Sequence, residues 1–541
     1  MVIKAFFKKN KFFSFITIVF IIWLLFLIIL AIFNRRNVIF WENISNTDVS
    51  SEYLSILPPL RYILEPIAQL SFILGMEFSW LFIVIIIYPS LRIIYLILRR
   101  KGIIHSKKLR LITNPLADVI RFSYKVLMLT ILVIGLIILA GYLIQGYFFV
   151  SRYFMIPVQI GVHLSIILII IKTLYVLIKL FHPRLQCNYS KKRKKKVKKR
   201  IKKRSIKSLK NIKREFVYLV GICSLLLGIN IVLISIPFPT HRIVPIVPLD
   251  DDEFLFDFHV HTTYSDGWLT PEERVLWYIE QGISGAAFSD HDNIRGASAA
   301  QSFVEANGLQ FIVFMAEEWT DNENDIHMNY FGIAEELVPL QSYTLGGPKA
   351  MNASDTIAYV KANGGYITVN HYNYDPNPNG GVGVPYNLTQ LRDWGIDGFE
   401  IINGGSYGGK YQLIRDYCNS TNLICIGGSD IDTNEPLNTF IKIKLVDPTN
   451  LTITNIFETM KTNSYHEVIG IKLNPKKVDF PGDLNDFGFY VIEDFINYFL
   501  NVDVYQSLSW IIWSGAIYIL IFLSYRKIKK VGLAFLKRKI L

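Results

Sequence analysis

The chain has 541 residues, of which 51% are hydrophobic and 19% are charged. This length and apolar content exclude a single small soluble domain. Apolar runs of about 20 residues, the length that crosses ~30 Å of hydrocarbon, recur along the chain. Its four cysteines are too few for a disulfide framework or a Cys-rich zinc site. The sequence therefore predicts a membrane protein with a soluble domain.

The formal charge of +13 is unevenly distributed along the chain. Residues 191–214 hold 16 Lys and Arg in 24 positions, and the rest of the chain has 41 basic and 44 acidic residues. Residues 249–479 contain 32 acidic residues against 13 basic ones. An acidic domain of this kind repels nucleic acid unless bound metal offsets its charge, so no nucleic-acid partner is expected.

Six apolar runs predict transmembrane helices at 12–33, 78–98, 126–149, 154–181, 216–237 and 508–525. Each is expected to be helical, because unpaired backbone groups in lipid cost several kcal/mol. Basic residues of short loops stay cytoplasmic, and they lie before the first span, after the second, in the loop 182–215 and after the last. Six crossings of the cell membrane then predict cytoplasmic N- and C-termini and an extracytoplasmic domain between the fifth and sixth spans.

The basic loop and two ionisable residues in apolar runs each allow a second interpretation. The loop 182–215 could bind nucleic acid, but its place between two spans favours a patch that faces anionic lipid headgroups. Glu77 and His163 could mark a transport path. An interfacial position for Glu77 and a neutral bond from His163 to a neighbouring helix are favoured, so no transporter is predicted.

From Leu249 onward, short apolar strands alternate with helix-length polar stretches. Strands are predicted at 254–258, 285–289, 311–315, 329–333, 366–370, 398–402 and 423–427, with helices such as 271–281 and 297–306 between them. This alternation predicts an α/β domain with a parallel sheet, open or closed into a barrel. The predicted organisation is an all-α membrane region at 1–248, the α/β domain at 249–480, and a juxtamembrane segment with the last span at 481–541.

Histidines and carboxylates follow directly after many of the predicted strands. They are His259, His261, Asp266, His291, His327, His371, Asp430 and Asp432, with Glu317 and Glu318 in front of His327. Side chains two positions apart on a strand share a face, so His259 and His261 are expected to point the same way. Imidazole and carboxylate together suit Zn²⁺, Mn²⁺ or Fe²⁺. A metal site is favoured over ordinary polar loops, because the histidines recur at strand ends beside carboxylates.

The segments FHVHTTYSDG at 258–267 and FSDHD at 288–292 resemble the first two motifs of the PHP (polymerase and histidinol phosphatase) superfamily. Further pieces fit in order at 316–320, 327–332, 370–371 and 428–432. The resemblance covers about 230 residues and leaves the membrane region unexplained. It implies a distorted, TIM-like (β/α)7 barrel that holds two or three divalent metal ions and hydrolyses mostly phosphate esters.

Carried over by position, the resemblance implies three metal sites. One would use His259, His261, Glu318 and Asp430, a second would use His327 and His371 with Glu318 as the bridge, and a third would lie at Asp266, His291 and Asp432. Glu317 is the alternative to Glu318 as the bridge. Asp432 stands where the family usually has His, and Asp266 takes a position that is often His. The third site is therefore expected to offer harder, oxygen-rich ligands, to bind its metal ion more weakly, or to stay empty.

The resemblance implies metal-assisted hydrolysis, in which bound cations lower the pKa of a water and offset phosphoryl charge. Asp290 and Asp292 are candidates for proton transfer, although Asp290 could equally serve to orient its loop. Arg295 and Lys410 are candidate phosphate contacts, with a solvated surface role as the alternative. Tyr372 follows His371 where the family normally has proline, which would reshape the substrate rim.

Three functions remain open at the level of sequence. The leading hypothesis is a membrane-anchored extracytoplasmic phosphoesterase that acts on a small-molecule or lipid-linked phosphate ester beside membrane lipids. Some relatives of such barrels hydrolyse carbamate or carboxylic esters with similar ligands, and only substrates separate these two classes. A receptor without catalysis is the third hypothesis, although the cytoplasmic loops show no kinase-like or nucleotide-binding motif.

Overall fold

The computed structural model describes residues 11–33, 38–75, 77–100, 106–145, 152–181, 204–343, 345–376, 383–404 and 411–537. Within these ranges the helices are α1 (Lys11–Phe33), α2 (Pro59–Leu74), α3 (Leu81–Arg100), α4 (Ser106–Gln145), α5 (Arg152–Phe181), α6 (Arg204–Ile234), α7 (Pro271–Gln281), α8 (Arg295–Asn307), α9 (Ala353–Ala362), α10 (Leu388–Trp394), α11 (Tyr411–Thr421), α12 (Ile453–Met460), α13 (Gly482–Asn485), α14 (Tyr490–Asn501) and α15 (Val504–Lys537). Short 3-10 helices lie at Phe78–Trp80 and Leu340–Ser342.

The strands in the described residues are β1 (Ile39–Glu42), β2 (Thr47–Asp48), β3 (Tyr53–Ile56), β4 (Arg242–Pro245), β5 (Glu253–Val260), β6 (Gly285–Phe288), β7 (Ile312–Asp321), β8 (Ile326–Phe331), β9 (Leu337–Pro339), β10 (Lys349–Met351), β11 (Tyr366–Val369), β12 (Gly398–Asn403), β13 (Ile424–Gly428), β14 (Thr439–Lys444) and β15 (His466–Lys472). Every one of the seven strands predicted from the sequence is present. The long helices form a bundle, and the α/β domain follows α6 in the chain.

Within the described residues, five apolar stretches are long enough to cross a membrane, whereas the sequence predicted six spans. They are Ile16–Phe33, Phe78–Ile97, Asn114–Ile137, Asn211–Ile234 and Val504–Leu523. The predicted span at 154–181 falls in α5, where the apolar stretch among the described residues is only Ile160–Val176. At 1.5 Å per residue this stretch rises about 26 Å, less than the ~30 Å of a bilayer core. Residues 182–203 of the basic loop lie outside the described part of the chain.

Helix α5 runs antiparallel to α4, and α4 packs against α6. Thr130 and Ser165 share a hydrogen bond of 2.6 Å between α4 and α5. Gly221 of α6 lies against Ile120 of α4, where an added Cβ would come within 2.1 Å of the Ile120 carbonyl oxygen. This close approach requires glycine, as at many helix crossings in membranes. Helix α1 packs along α15, so the first and last long helices are neighbours.

The main sheet has eleven strands in the order β13-β12-β11-β8-β7-β6-β5-β14-β15-β1-β2. It is mixed, whereas the sequence predicted a parallel sheet. Strands β5, β6 and β7 are parallel to one another, but β8 is antiparallel to both of its neighbours. The reason is the short turn at 322–325 between β7 and β8, since a link of this length joins only antiparallel strands.

The sheet curves so that its end strand β13 approaches β5. The backbone N–H of Asp430, just after β13, donates to the carbonyl of His259 at 2.9 Å. Val260 and Ile431 form an isolated parallel bridge. These contacts bring the ends of β5 and β13 together at one rim of the sheet. A fully closed barrel stays a prediction.

The segment after the first long helix also contributes to the sheet. Strand β1 pairs antiparallel with β15, in the register Ile39 with Lys472. The Asn43 side chain donates to the carbonyl of Val468 at 2.9 Å and reinforces this pairing. Strand β3 pairs with β4. Chain between the first two apolar stretches therefore covers an edge that β15 would otherwise expose.

Helix α7 shows how local sequence positions the elements around β5. Thr270 accepts a hydrogen bond from the Glu273 N–H, and the Glu273 side chain accepts from the Thr270 N–H, which is a capping box. Pro271 occupies the first turn, where its missing N–H costs nothing. Gly282 ends the helix in the left-handed region with φ of 84°. This helix begins directly after the loop that carries Asp266.

Candidate metal centre

His259 and His261 are placed by the end of β5. Both imidazoles are buried and their Nε2 atoms lie 3.1 Å apart, as the two-residue spacing predicts. Asp430 approaches from the end of β13, with Oδ1 3.3 Å from His259 Nε2 and 3.0 Å from His261 Nε2. Asp430 has φ of 49°, and such strained backbone is common at functional sites. These three residues form the first potential metal-binding group.

The Glu318 carboxylate lies at the centre of the site. Its Oε2 is 3.3 Å from His259 Nε2, 3.2 Å from His261 Nε2 and 3.0 Å from His291 Nδ1. Its Oε1 is 3.1 Å from His327 Nδ1 and 3.3 Å from His371 Nε2. One carboxylate thus lies beside five imidazoles that come from four different segments of the sequence.

Glu317, the alternative bridging residue, points to the other face of β7. Its carboxylate accepts a hydrogen bond from the backbone N–H of Leu337 at 3.2 Å. Neighbouring side chains on a strand alternate between the two faces, so only Glu318 reaches the histidines. The geometry therefore favours Glu318 over Glu317 as the shared ligand.

Asp266, His291 and Asp432 form an outer part of the centre. Asp266 Oδ2 lies 3.4 Å from His291 Nε2, and its Oδ1 lies 3.8 Å from His261 Nδ1. Asp266 and Asp432 can share a metal with His261. The side chains of Asp266 and His291 are 39% and 27% exposed, whereas His259, His261 and Glu318 are at most 1% exposed. All nine predicted metal ligands thus converge on one rim, and their individual roles stay predictions.

The three predicted catalytic residues lie around this rim in different settings. The Asp290 carboxylate accepts hydrogen bonds from the Thr262 N–H at 2.7 Å, the Thr262 hydroxyl at 2.8 Å and the Ser265 hydroxyl at 2.7 Å. Such complete hydrogen bonding favours an orienting role for Asp290. Asp292 accepts from the Thr320 N–H at 3.1 Å, and burial raises its pKa to about 7.

Arg295 lies farther out, at the start of α8. Its side chain is largely exposed, and its Nε donates to Glu336 at 3.2 Å. This ion pair agrees with the surface role that the sequence left open, while a phosphate contact stays a prediction. Lys410, the other predicted phosphate contact, lies outside the described residues.

Two supporting residues were missed by the sequence analysis. Glu400 lies in β12, where its carboxylate is 2.7 Å from His259 Nδ1 and also accepts from the His371 N–H at 2.9 Å. The Asn370 side chain donates to Glu318 Oε1 at 3.0 Å. Glu400 interrupts the apolar run Gly398–Asn403, and a buried carboxylate in such a strand was the available signal.

The electrostatics of the site reflect packed carboxylates and imidazoles. Burial opposes protonation of His259, but the charge of Asp430, followed by Glu400 and Glu318, outweighs it and raises the pKa well above its ordinary value. Burial likewise acts to raise the pKa of Glu318, yet the surrounding imidazoles, His291 first, hold it well below its ordinary value. The negative charge at Glu318 is thus stabilised mainly by the positive charge next to it, and the Asn370 hydrogen bond adds to this.

The residues present fit bound divalent metal. Glu400 lies 2.7 Å from His259 Nδ1 and can accept the proton of that nitrogen, so a metal ion that takes the place of the Nε2 proton would bind on the side of His261 and Asp430. The buried oxygens Glu318 Oε2, Asp266 Oδ1 and Asp432 Oδ1 have no hydrogen-bond partner among the described residues. Converging lone pairs on nitrogen and oxygen are the ligand set that Zn²⁺, Mn²⁺ or Fe²⁺ prefers.

Residues 257–369 match the PHP domain family. The chain therefore contains a PHP domain match, which runs from the end of β5 to β11 and includes four of the five histidines around Glu318, all except His371. The apolar helices lie outside the matched segment. The resemblance noted in the sequence is confirmed by this match.

Several curated relatives share short segments with the chain. It is 40% identical over 55 residues to a 5'-3' exoribonuclease of Salmonella typhimurium, which is 10% of this chain and 19% of that protein. It is 31% identical over 80 residues to a phosphoribosyl 1,2-cyclic phosphate 1,2-diphosphodiesterase of Eggerthella lenta, which is 15% of this chain and 30% of that protein. The matched segments thus span less than a third of these relatives.

Among solved structures, a two-domain protein of Bacteroides vulgatus with a PHP-like metal-dependent phosphoesterase is 18% identical. The alignment covers 45% of this chain and 71% of that one, with a TM-score of 0.33. The family match identifies residues 257–369 as PHP-like.

Proposed function

We propose that the chain is a membrane-anchored, extracytoplasmic phosphoesterase that hydrolyses a phosphate ester at a centre of two or three divalent metal ions. The central observation is the Glu318 carboxylate, which lies 3.0–3.3 Å from nitrogens of five histidines. Burying a carboxylate among five imidazoles costs desolvation free energy, and well-packed hydrophobic side chains would stabilise the fold at least as well. The fold alone therefore does not explain this arrangement. Metal binding gives the arrangement a function.

The residues of the chain divide the work of such a reaction. Divalent ions, when bound there, supply an activated water and positive charge that offsets the phosphoryl oxygens. Glu400 fixes the ring orientation of His259, and Asn370 fixes one oxygen of Glu318. Asp290 holds the loop of Thr262 and Ser265 against the centre. Asp292, two residues after Asp290, accepts a hydrogen bond from the backbone N–H of Thr320.

The proposed orientation has two independent supports. In the sequence, basic residues cluster before the first predicted span, after the second, in the loop 182–215 and after the last, as expected for cytoplasmic loops. Strand β1 follows α1 within the same sheet that holds the metal centre, so the segment after the first apolar stretch lies on the side of the domain. A cysteine introduced at the exposed Val247 should react with an impermeant thiol reagent in intact cells. Labelling only after permeabilisation would contradict this orientation.

The catalytic proposal is tested with the full chain in detergent, because strands from the first 56 residues pair with strands around the domain. Strand β1 pairs with β15, and β3 pairs with β4. Phosphate release from mono- and diesters is measured with Mn²⁺ or Zn²⁺, with chelator, and in His261→Ala. Aryl carboxylic esters and carbamates form the second panel. Phosphate release that chelator and His261→Ala abolish supports the proposal. Turnover of esters or carbamates alone would favour that hydrolase class, and bound metal without any turnover would favour a receptor.

The matched control for His261→Ala is His466→Gln. His466 is a buried histidine of the same sheet, but its Nε2 contacts the carbonyl of Cys425 at 2.8 Å rather than the metal centre. Equal loss of activity in both variants would show that unfolding, not loss of a ligand, explains the effect.

A further inference from the structure

The rim that carries the metal centre faces the helix bundle. Strands β5 and β15 are both antiparallel to β14, so they run in the same direction. Strand β15 leads through α13 and α14 into α15, which contains the last apolar stretch. The carboxyl end of β5, with His259 and His261, therefore points to the same side as the membrane helices.

The loop after β13 is docked on the bundle. Asn434, two residues beyond Asp432, donates from Nδ2 to the carbonyl of Leu233 at 2.9 Å and also to that of Ile236. These carbonyls lie at the end of the apolar stretch Asn211–Ile234. Ser71 of α2 donates to Asn434 Oδ1 at 3.3 Å. The loop with Asp430 and Asp432 thus lies on the end of a membrane helix.

Helix α2 has the surface pattern of a helix in contact with lipid. Its apolar residues Leu60 and Ile63 are 53% and 62% exposed. Its polar residues Arg61 and Glu65 are buried and paired with each other, and Glu65 also accepts from Tyr498 at 2.6 Å. This distribution, with apolar side chains exposed and charged side chains buried, is the reverse of that on a helix at a water-exposed surface. This helix holds the loop of Asp432 through Ser71.

A second loop of the metal centre also contacts the bundle. Trp268 follows Asp266 by two residues, and its backbone N–H donates to the carbonyl of Asp432 at 2.7 Å. Its ring packs against His163 of α5, with centroids 6.0 Å apart. His163 lies three residues into the apolar stretch Ile160–Val176. The neutral bond from His163 to a neighbouring helix stays a prediction, and the structure adds a ring contact between His163 and a loop of the metal centre.

The exposed edge of the centre lies beside these contacts. Asp266, two residues before Trp268, has the most exposed side chain of the centre at 39%, followed by His371 at 35% and His291 at 27%, whereas His259 and His261 are buried. On α5, Ile160 and Leu164 flank His163 and are themselves exposed. An apolar surface therefore leads from the bundle to the loop that carries Asp266.

We propose that the substrate is a phosphate ester with a long apolar chain that stays in the bilayer while the phosphate enters the metal centre from the membrane side. This inference rests on the proposed function and specifies its substrate class. A polyanion in water is disfavoured by the acidic domain and by the bundle in front of the rim. A lipid phosphate reaches the centre by lateral diffusion along α2 and α5.

The test compares two esters with the same leaving group. Hexadecyl 4-nitrophenyl phosphate and methyl 4-nitrophenyl phosphate are offered to the full chain in phosphatidylcholine nanodiscs with Mn²⁺. The lipid ester is expected to be hydrolysed at least about tenfold faster at equal total concentration. Equal rates, or a faster methyl ester, would overturn the substrate class and leave the phosphoesterase intact. Hydrolysis of neither ester by metal-loaded protein would remove the proposed function and this inference together.

A variant and a binding measurement separate entry from chemistry. In Trp268→Ala the ratio of hexadecyl to methyl rates is expected to fall at least threefold, while Trp41→Ala, in β1, should keep the ratio. A hexadecyl phosphonate with a photoreactive diazirine near the phosphorus is then crosslinked to metal-free protein. Crosslinks are expected in 262–269 and 430–436 and near His163. Crosslinks confined to the far side of the bundle, or an unchanged ratio in Trp268→Ala, would overturn entry from the membrane.

Discussion

The inner and outer parts of the metal centre differ in how firmly the protein holds their ligands. We define the inner cluster as His259, His261, Glu318 and Asp430, and the outer cluster as Asp266, His291 and Asp432. In the inner cluster the two histidines and Glu318 are almost fully buried, and Glu400 and Asn370 fix their orientation. In the outer cluster Asp266 is 39% exposed, and one oxygen each of Asp266 and Asp432 has no hydrogen-bond partner among the described residues.

The comparison shows that burial and outer hydrogen bonds, rather than ligand type alone, distinguish the two clusters. Metal ligands held by further hydrogen bonds bind more tightly, because less ordering is required on binding. Both departures from the family's histidines, Asp266 and Asp432, fall in the outer cluster. We therefore expect the inner cluster to carry most of the metal affinity and the outer cluster to modulate it.

The largest effect is expected from Glu318→Gln, which removes the carboxylate shared by five imidazoles. Metal content, measured by elemental analysis of the purified chain, should fall by more than one ion per chain. Phosphate release should drop by well over ~100-fold, which is the upper end of the loss that follows removal of a residue that hydrogen-bonds a metal ligand. Glu317→Gln is the control, because glutamine can still accept from the Leu337 N–H. Equal metal content in both variants would contradict the central place of Glu318.

Glu400→Gln tests whether outer hydrogen bonds account for the firmness of the inner cluster. Glutamine keeps the size of the side chain but loses the charge next to His259 Nδ1. Metal affinity, measured by competition with a chelator of known affinity, is expected to fall ~10–100-fold. Glu336→Gln, which alters a partly buried carboxylate beside Arg295 and away from the metal centre, supplies the control. An affinity within twofold of the parent protein would mean that the sheet alone positions His259.

His466 provides a buried histidine outside both clusters. Burial lowers its pKa from the ordinary value to about 4. The neutral form is favoured in the fold, so its contribution is complete above the unfolded pKa of ~6.5 and is lost as the pH falls toward 4. At pH 5 the loss is about 2 kcal/mol, or roughly 4–8 °C in the melting midpoint of a domain of 150–250 residues. His466→Gln should lack this loss.

The measurement for His466 is the difference in melting midpoint between the two proteins at pH 7.5 and pH 5, in the same detergent. Other titrating groups contribute equally to both proteins and cancel. An identical loss of stability at pH 5 in the parent protein and in His466→Gln would show that this histidine is not held neutral by burial.

The smallest effect is expected from Asp432→Asn in the outer cluster. Asparagine removes one charged ligand of the group formed by His261, Asp266 and Asp432. Metal content is expected to fall by at most one ion per chain, and phosphate release by less than ~10-fold. This is below the ~10–100-fold loss that follows removal of a residue that hydrogen-bonds a metal ligand. His291→Gln offers a second outer change. A loss in Asp432→Asn as large as in Glu318→Gln would erase the distinction between the clusters.

The sequence predicted the inner cluster well, because its residues follow strands whose apolar pattern is clear. All seven predicted strands are present, and their ends deliver His259, Glu318 and His371 to one rim. The antiparallel β8 was not predicted, since its hydrophobic pattern does not encode direction and only the short turn before it does. Glu400 was missed for a similar reason, because its role depends on a partner 141 positions away.

The membrane region was predicted less well than the domain. Hydropathy located the spans, but it overestimated the fourth, whose described apolar stretch ends at Val176. The inverted pattern of α2 was not recognised, because a helix with apolar residues outside and ions inside resembles a soluble amphipathic helix in sequence. Which face meets lipid is decided by the neighbours of the helix, and these lie far away in the chain.

The pairing of β1 with β15 bears on how the protein is made. Asn43 and Val468, which join these strands, are separated by 425 positions. During synthesis β1 emerges long before its partner and waits, as an unpaired edge, while three of the five long apolar stretches and most of the domain are added. The sheet is completed only when β15 has been translated. A ribosome that stalls before residue 466 therefore leaves a nascent chain with an open edge at the membrane, a natural substrate for holding chaperones and quality-control proteases.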